Sequence, residues 1–231
     1  MTRRRCGSAD YSYQAFSYQP IACSTSQKHR LTAQKEVLLS VDIILASASP
    51  RRQELLSLVV RTFRVVPSGF DESLVPVDLA PAQHVLYSAC MKARDVAARF
   101  PDALVISADT IVVVDEAILG KPADAAEAAR MLRMLSGRTH EVYTGVAVVR
   151  AEVERADVER TEVTFGPLSD EIIARYVASG EPMDKAGAYA IQGRAVVLIK
   201  SVCGCYPNVV GLPLHKLSCI LSEFGIEPLC E

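Results

Sequence analysis

The chain has 231 residues, half of them hydrophobic, with 25 Lys and Arg against 27 Asp and Glu and a formal net charge of -2. This suits a globular protein with a substantial core, built as one large domain or two small ones. The charge balance argues against a nucleic-acid binder, and no apolar run approaches the roughly 18 residues needed to cross a membrane.

Residues 1–40 are rich in Ser, Gln, Arg and Tyr, lack hydrophobic periodicity, and hold one acid, Asp10, before Glu36. They read as a disordered N-terminal extension. The same Arg-rich, acid-poor composition fits an organelle transit peptide, which leaves a cytoplasmic and an organellar location both open. There are seven cysteines, of which only Cys203 and Cys205 are close, and no His or second Cys pair completes a zinc set. They read as free thiols in a reducing compartment.

From residue 41 to 231 the pattern is that of one α/β domain. Ile43–Leu45 reads as a buried strand, broken at Ser47, Ser49 and Pro50, and followed by a helix with Leu55, Leu56, Val59 and Val60 on one face. Ser49 suits the N-cap and Pro50 the first helical position. Arg51 and Arg52 then fall in the first turn, where the helix dipole is already positive, and Arg52 lies within the apolar face. Two cations there cost stability unless an anion sits against them, which makes this loop and helix start a candidate phosphate site. A pair of solvated arginines is the plain alternative. The helix at residues 169–179 sets the contrast: Asp170 and Glu171 occupy its first turn in keeping with the dipole, so it reads as purely structural.

Phe63–Pro67 reads as a short strand, and the loop after it carries Asp71 and Glu72. Gln83–Phe100 is an amphipathic helix with Lys92 at the edge of its apolar stripe, either snorkelling or at a groove rim. Leu104–Asp115 (LVISADTIVVVD) is the continuous β-branched run of a fully buried strand, interrupted by Asp109 and Thr110. An ionised carboxylate in such a strand is costly unless compensated, so Asp109 reads as catalytic or metal-facing. Ile118–Pro122 reads as a tight turn presenting Lys121, and Asp124–Leu135 as a helix. His140–Arg150 and Val153–Phe165 read as strands, the second with a solvated charged face. Gly180–Gly193 is too polar and glycine-rich for a regular element and holds Asp184, Lys185 and Gln192. Ala195–Val202 reads as a strand, Asn208–Leu212 as a loop and Pro213–Phe224 as the last helix.

The residues that strain local rules are Ser49, Arg51, Arg52, Lys92, Asp109, Lys121 and Lys185, with Glu72 a further acid. Several cations with one or two carboxylates is the inventory for a polyphosphate ester. A Walker A sequence, a GxGxxG and a nucleophile elbow are all absent from the chain.

The runs SASPRRQELL, SADTIVVVD, ILGKP and GEPMDKAGAYAIQG, in that order, resemble the Maf family of nucleoside triphosphate pyrophosphatases over about Val41 to Phe224. The resemblance implies a mixed β-sheet flanked by helices, with two lobes around a nucleotide-binding cleft. It further implies a cytosolic, often dimeric enzyme that hydrolyses nucleoside triphosphates to the monophosphate and pyrophosphate with Mg²⁺ or Mn²⁺. Asp109 matches the family's proton acceptor, Arg52, Lys92 and Lys121 its triphosphate contacts, and Glu72 an acid near the metal. Arg51, Thr110 and Gln192 fall where the family sets base preference, and DKAGAYAIQG resembles the branch acting on dTTP and UTP. A 7-methyl-GTP or ITP pyrophosphatase and a nucleotide-sensing regulator of cell division are the alternatives. CGCYPNVVGLP departs from the family in carrying Cys203 and Cys205.

Overall fold

A computed structural model describes residues 41–227; the N-terminal extension expected at residues 1–40 lies outside the described residues. The fold is one seven-stranded mixed sheet flanked by helices, with strand order β2-β1-β3-β5-β6-β7 and β4 paired to β3 off that path. Strand β1 (Ile43–Leu45) runs parallel to both β2 (Arg64–Val65) and β3 (Leu104–Val114). Strands β4 (Ala117–Leu119), β5 (Thr139–Arg150), β6 (Val153–Phe165) and β7 (Ile199–Cys203) follow with antiparallel pairings.

Strand β3 is the centre, and the period of two along it sorts its side chains to the two faces. Leu104, Ile106, Ala108, Val112 and Val114 enter the main core, with helices α1 (Pro50–Ser57), α3 (Ala125–Leu135), α4 (Asp170–Ala178) and α6 (Leu214–Glu223). Val105, Ile111 and Val113 face helix α2 (Pro81–Ala97) across the sheet. That helix lies close against the sheet: Ser107 Oγ donates to the Ala89 carbonyl at 2.5 Å. A Cβ placed on Gly145 of β5 would stand 2.4 Å from the Val85 carbonyl oxygen, so only glycine permits this approach.

One edge of β3 is fully paired with β5 from Val105 to Val113. The other edge is shared: β1 covers Leu104–Ile106 and β4 covers Val112–Val114. Between them the sheet has a notch at Ser107–Ile111, and the cleft expected between two lobes opens there.

Three sequence readings of secondary structure are corrected. Ile118–Pro122 is not only a turn: Ala117–Leu119 pairs back on β3 through a two-residue hairpin, Asp115 and Glu116, both at positive φ. Residues Arg194–Leu198 form a 3-10 turn, and the strand predicted from Ala195 begins at Ile199. The predicted loop at Asn208–Leu212 is entered by a short helix, α5 (Tyr206–Val210). Pro207 sits in its first turn, where a missing N–H costs nothing. The charges of β6 are paired rather than merely solvated: Glu154 with Arg94, Arg155 with Glu223, Asp157 with Lys216, and Arg160 with Glu141 and Glu162.

Candidate active site

The notch in β3 opens into a cleft of about 720 Å³. Every candidate residue lines it: Ser49, Arg51, Arg52, Glu72, Lys92, Asp109, Thr110, Lys121, Lys185 and Gln192. Six separate stretches of chain converge, and the sheet break is what lets side chains from both of its faces reach one space.

On the α2 face, Asp109 is 8% exposed and Lys92 is 9% exposed. Lys92 is a correction. Its place is within the buried stripe of α2, between Ala89 and Val96, and not at a rim. Its Nζ donates to Asp109 Oδ1 and to Glu72 Oε1, both at 2.6 Å. One ammonium therefore compensates the carboxylate that the buried strand could not otherwise hold. Glu72 reaches in from a 3-10 turn whose N-cap is Asp71, which accepts from the Ser73 N–H at 2.9 Å. Asp71 is thereby spent on the turn, and only the second of the paired acids joins the site.

On the opposite face stands Arg52. Ser49 holds the N-cap position without a side-chain cap bond, contrary to expectation; its own N–H donates instead to Ser47 Oγ at 3.3 Å. The helix start is thus left open to the cleft. The Arg52 guanidinium donates through Nε to the Gly211 carbonyl at 2.8 Å, through Nη1 to Ser47 Oγ at 3.3 Å and through Nη2 to Thr110 Oγ1 at 3.0 Å. All three partners are neutral. Burial pulls the Arg52 pKa down from its ordinary value, opposed by the charges of Asp109 and Glu72; a guanidinium nonetheless keeps its proton. Ser47 and the Gly211 carbonyl were missed in the sequence, where Ser47 read only as a strand breaker.

The remaining cations stand at the rim. Arg51 Nη1 lies 3.9 Å from Asp184 Oδ2, and Lys185 Nζ bonds Asp184 Oδ1. Burial would raise the Asp184 pKa, but Lys185 and Arg51 outweigh it and hold the carboxyl below its usual range. Lys121 is exposed and has no ion pair among the described residues. Arg52, by contrast, has hydrogen-bond partners but none that carries a charge.

Glu72 and Asp109 are also the expected metal ligands. Their two oxygens meet at one ammonium, no more than two hydrogen bonds apart. Among the described residues no three His, Cys, Asp or Glu side chains form a cage. Two carboxylates fit an ion such as Mg²⁺, which takes one or two of them and completes its shell with phosphate oxygens and water.

A family profile described as Maf-like protein matches residues 42–224. The chain belongs to the Maf family. Among its relatives, the dTTP/UTP pyrophosphatase of Symbiobacterium thermophilum is 57% identical over 183 residues, 79% of this chain and 94% of that one. The dTTP/UTP pyrophosphatase of Pelotomaculum thermopropionicum is 53% identical over 190 residues, 81% of this chain and 99% of that one. The solved structure of the Staphylococcus aureus Ham1 protein is 13% identical, with a TM-score of 0.47 over 79% of this chain and 99% of that one. No helix among the described residues of this Maf protein is long and apolar enough to cross a membrane.

Proposed function

We propose that this Maf protein hydrolyses dTTP and UTP, and modified pyrimidine nucleotides of the same form, to the monophosphate and pyrophosphate. The observation that carries the reading is Asp109, a carboxylate buried in the central strand and opening onto a cleft that also holds Arg52, Lys121 and Lys185. Its relatives named as dTTP/UTP pyrophosphatases supply the bases. Residues 41–231 form the catalytic domain, working in the cytoplasm unless residues 1–40 direct it to an organelle.

Arg52, with Lys121 and the rim pair Arg51 and Lys185, binds the triphosphate and neutralises the charge that gathers on the departing pyrophosphate. Lys92 fixes one oxygen of Asp109, and the other orients the attacking water and takes its proton as the water adds to the α-phosphorus. Gln192 and Arg51 border the base. Glu72 and Asp109 would hold a Mg²⁺ or Mn²⁺ ion, which when bound supplies charge neutralisation across the phosphates.

The test is a panel of dTTP, UTP, CTP, 7-methyl-GTP and ITP with Mn²⁺, following monophosphate and pyrophosphate. The expected result is preference for dTTP and UTP, loss of turnover on chelation, and its return with added metal. Asp109→Asn should lower kcat by about 10²–10⁴-fold while nucleotide still binds. Normal turnover by that variant removes Asp109 from its role. Tight binding with no product over hours would make the protein a nucleotide sensor, and preference for ITP or 7-methyl-GTP would overturn the base assignment.

A further inference from the structure

Arg52 is held by a chain of hydrogen bonds that extends well beyond the cleft. Thr110 Oγ1, which receives Arg52 Nη2, lies 2.9 Å from Thr144 Oγ1, its register partner on β5. Thr144 Oγ1 lies 3.0 Å from the carbonyl oxygen of Asn208. Asn208 is fully buried, and its Nδ2 donates to the Val142 carbonyl at 3.0 Å and to Thr161 Oγ1 at 2.9 Å. Thr161 Oγ1 in turn exchanges bonds of 3.1 Å with the N–H and carbonyl of Cys205.

The direction of each bond follows from counting hydrogens. A threonine hydroxyl has one proton to give, and a carbonyl oxygen has none. Thr144 must therefore donate to Asn208, so Thr110 must donate to Thr144, which turns a lone pair of Thr110 toward Arg52. The Thr110 hydroxyl has no proton left for a substrate. Arg52 has five N–H groups, and Gly211, Ser47 and Thr110 each take one. One N–H on each Nη is left uncommitted, on a side chain that lines the cleft. The same Asn208 anchors α5, the short helix that ends at Gly211 (φ 125°), whose carbonyl takes Nε. Both ends of the guanidinium thus depend on one buried pair. Asn208 Oδ1 is itself buried without a partner among the described residues, so this side chain is held for what its other atoms do.

We propose that Thr144 and Asn208 are positioning residues for phosphate binding: they fix the guanidinium plane of Arg52 so that its two free N–H groups meet the triphosphate. Thr110 belongs to the same device and acts through Arg52 rather than by donating to the nucleotide. This rests on the reading that Arg52 binds the phosphates.

The test is Thr144→Val, which keeps the shape and removes the hydroxyl, set beside Thr144→Ser, which keeps the hydroxyl. Each is measured by kcat and KM for dTTP and, separately, by calorimetric binding of inorganic tripolyphosphate to the full chain. Thr144→Val should raise KM and weaken tripolyphosphate by about tenfold each with kcat little changed, while Thr144→Ser recovers most of the loss. In an Arg52→Gln background Thr144→Val should add less than about twofold, because the group it aims is gone. Unchanged tripolyphosphate binding in Thr144→Val, or a full tenfold loss on top of Arg52→Gln, overturns the proposal. If Thr144→Val does not fold, Thr110→Val interrupts the same chain at a half-buried position and is judged by the same readings. Absence of dTTP turnover by the wild-type protein would sink the proposed function; the tripolyphosphate arm still decides the positioning role.

Discussion

Replacing Gly145 with alanine tests whether the seating of α2 on the sheet governs the site. Gly145 faces Asp109 across the β3–β5 ladder. A Cβ there would lie 2.4 Å from the Val85 carbonyl oxygen, 2.6 Å from its carbon and 2.8 Å from the Leu86 nitrogen, all backbone of α2. Reaching even the 3.4 Å of ordinary contact requires the helix and sheet to separate by about 1 Å, and Lys92 sits two turns further along that helix. Overpacking of this kind costs about 1–3 kcal/mol, and alanine's lower unfolded-state entropy returns about 0.4–1 kcal/mol. A net loss of about 1–2 kcal/mol lowers the melting temperature by roughly 2–8 °C for a domain of this size. A shift of about 1 Å in Lys92, which holds the carboxylate proposed as the base, should lower kcat/KM by about 10²-fold. The assay is thermal denaturation with dTTP turnover on the same preparation. Gly69→Ala is the control, since nothing lies within 4 Å of a Cβ at that position. Wild-type melting and turnover in Gly145→Ala would refute the claim that this close approach positions Lys92.

Two further outcomes follow from groups near the cleft. His140 is buried, with Nε2 bonded to the Tyr189 hydroxyl at 2.8 Å, and burial lowers its pKa from 6.5 to about 4. Between those values the unfolded chain binds a proton that the folded one does not, so stability falls as pH drops from 6.5 toward 4, by up to about 3 kcal/mol. Urea titrations at pH 7.5 and 4.5 should show this drop shrinking in His140→Gln; an equal drop in both proteins would contradict it. Asp184→Asn removes the anion that Arg51 and Lys185 now share. Its carboxylate is 70% exposed, so stability should change by less than about 0.5 kcal/mol. Tripolyphosphate should bind about two- to threefold more tightly; weaker binding would mean that Asp184 arranges the two cations rather than competing for them.

The fold was legible where hydrophobic pattern and strand length coincide. The β-branched run around Asp109 could be nothing but a central strand, and the carboxylate inside it pointed to the cleft that it lines. The β4 hairpin was hidden because its turn, Asp115–Glu116, lacks the glycine or asparagine that usually announces positive φ. Lys92 was misplaced for a different reason: a helical wheel ranks lysine as polar and cannot know that two carboxylates await it inside. The network behind Arg52 was invisible, since it joins Arg52, Thr110, Thr144, Thr161 and Asn208 from five elements through neutral groups that leave no pattern in a linear chain.

The bond from Arg52 to Gly211 spans 159 residues of sequence. On a ribosome adding about 5–20 residues each second, the arginine waits on the order of ten seconds for its carbonyl to be made. A nascent chain therefore carries this guanidinium without its Nε acceptor until residue 211 has been added, and the clamp around Arg52 can close only after every strand of the sheet from β1 to β7 has been made.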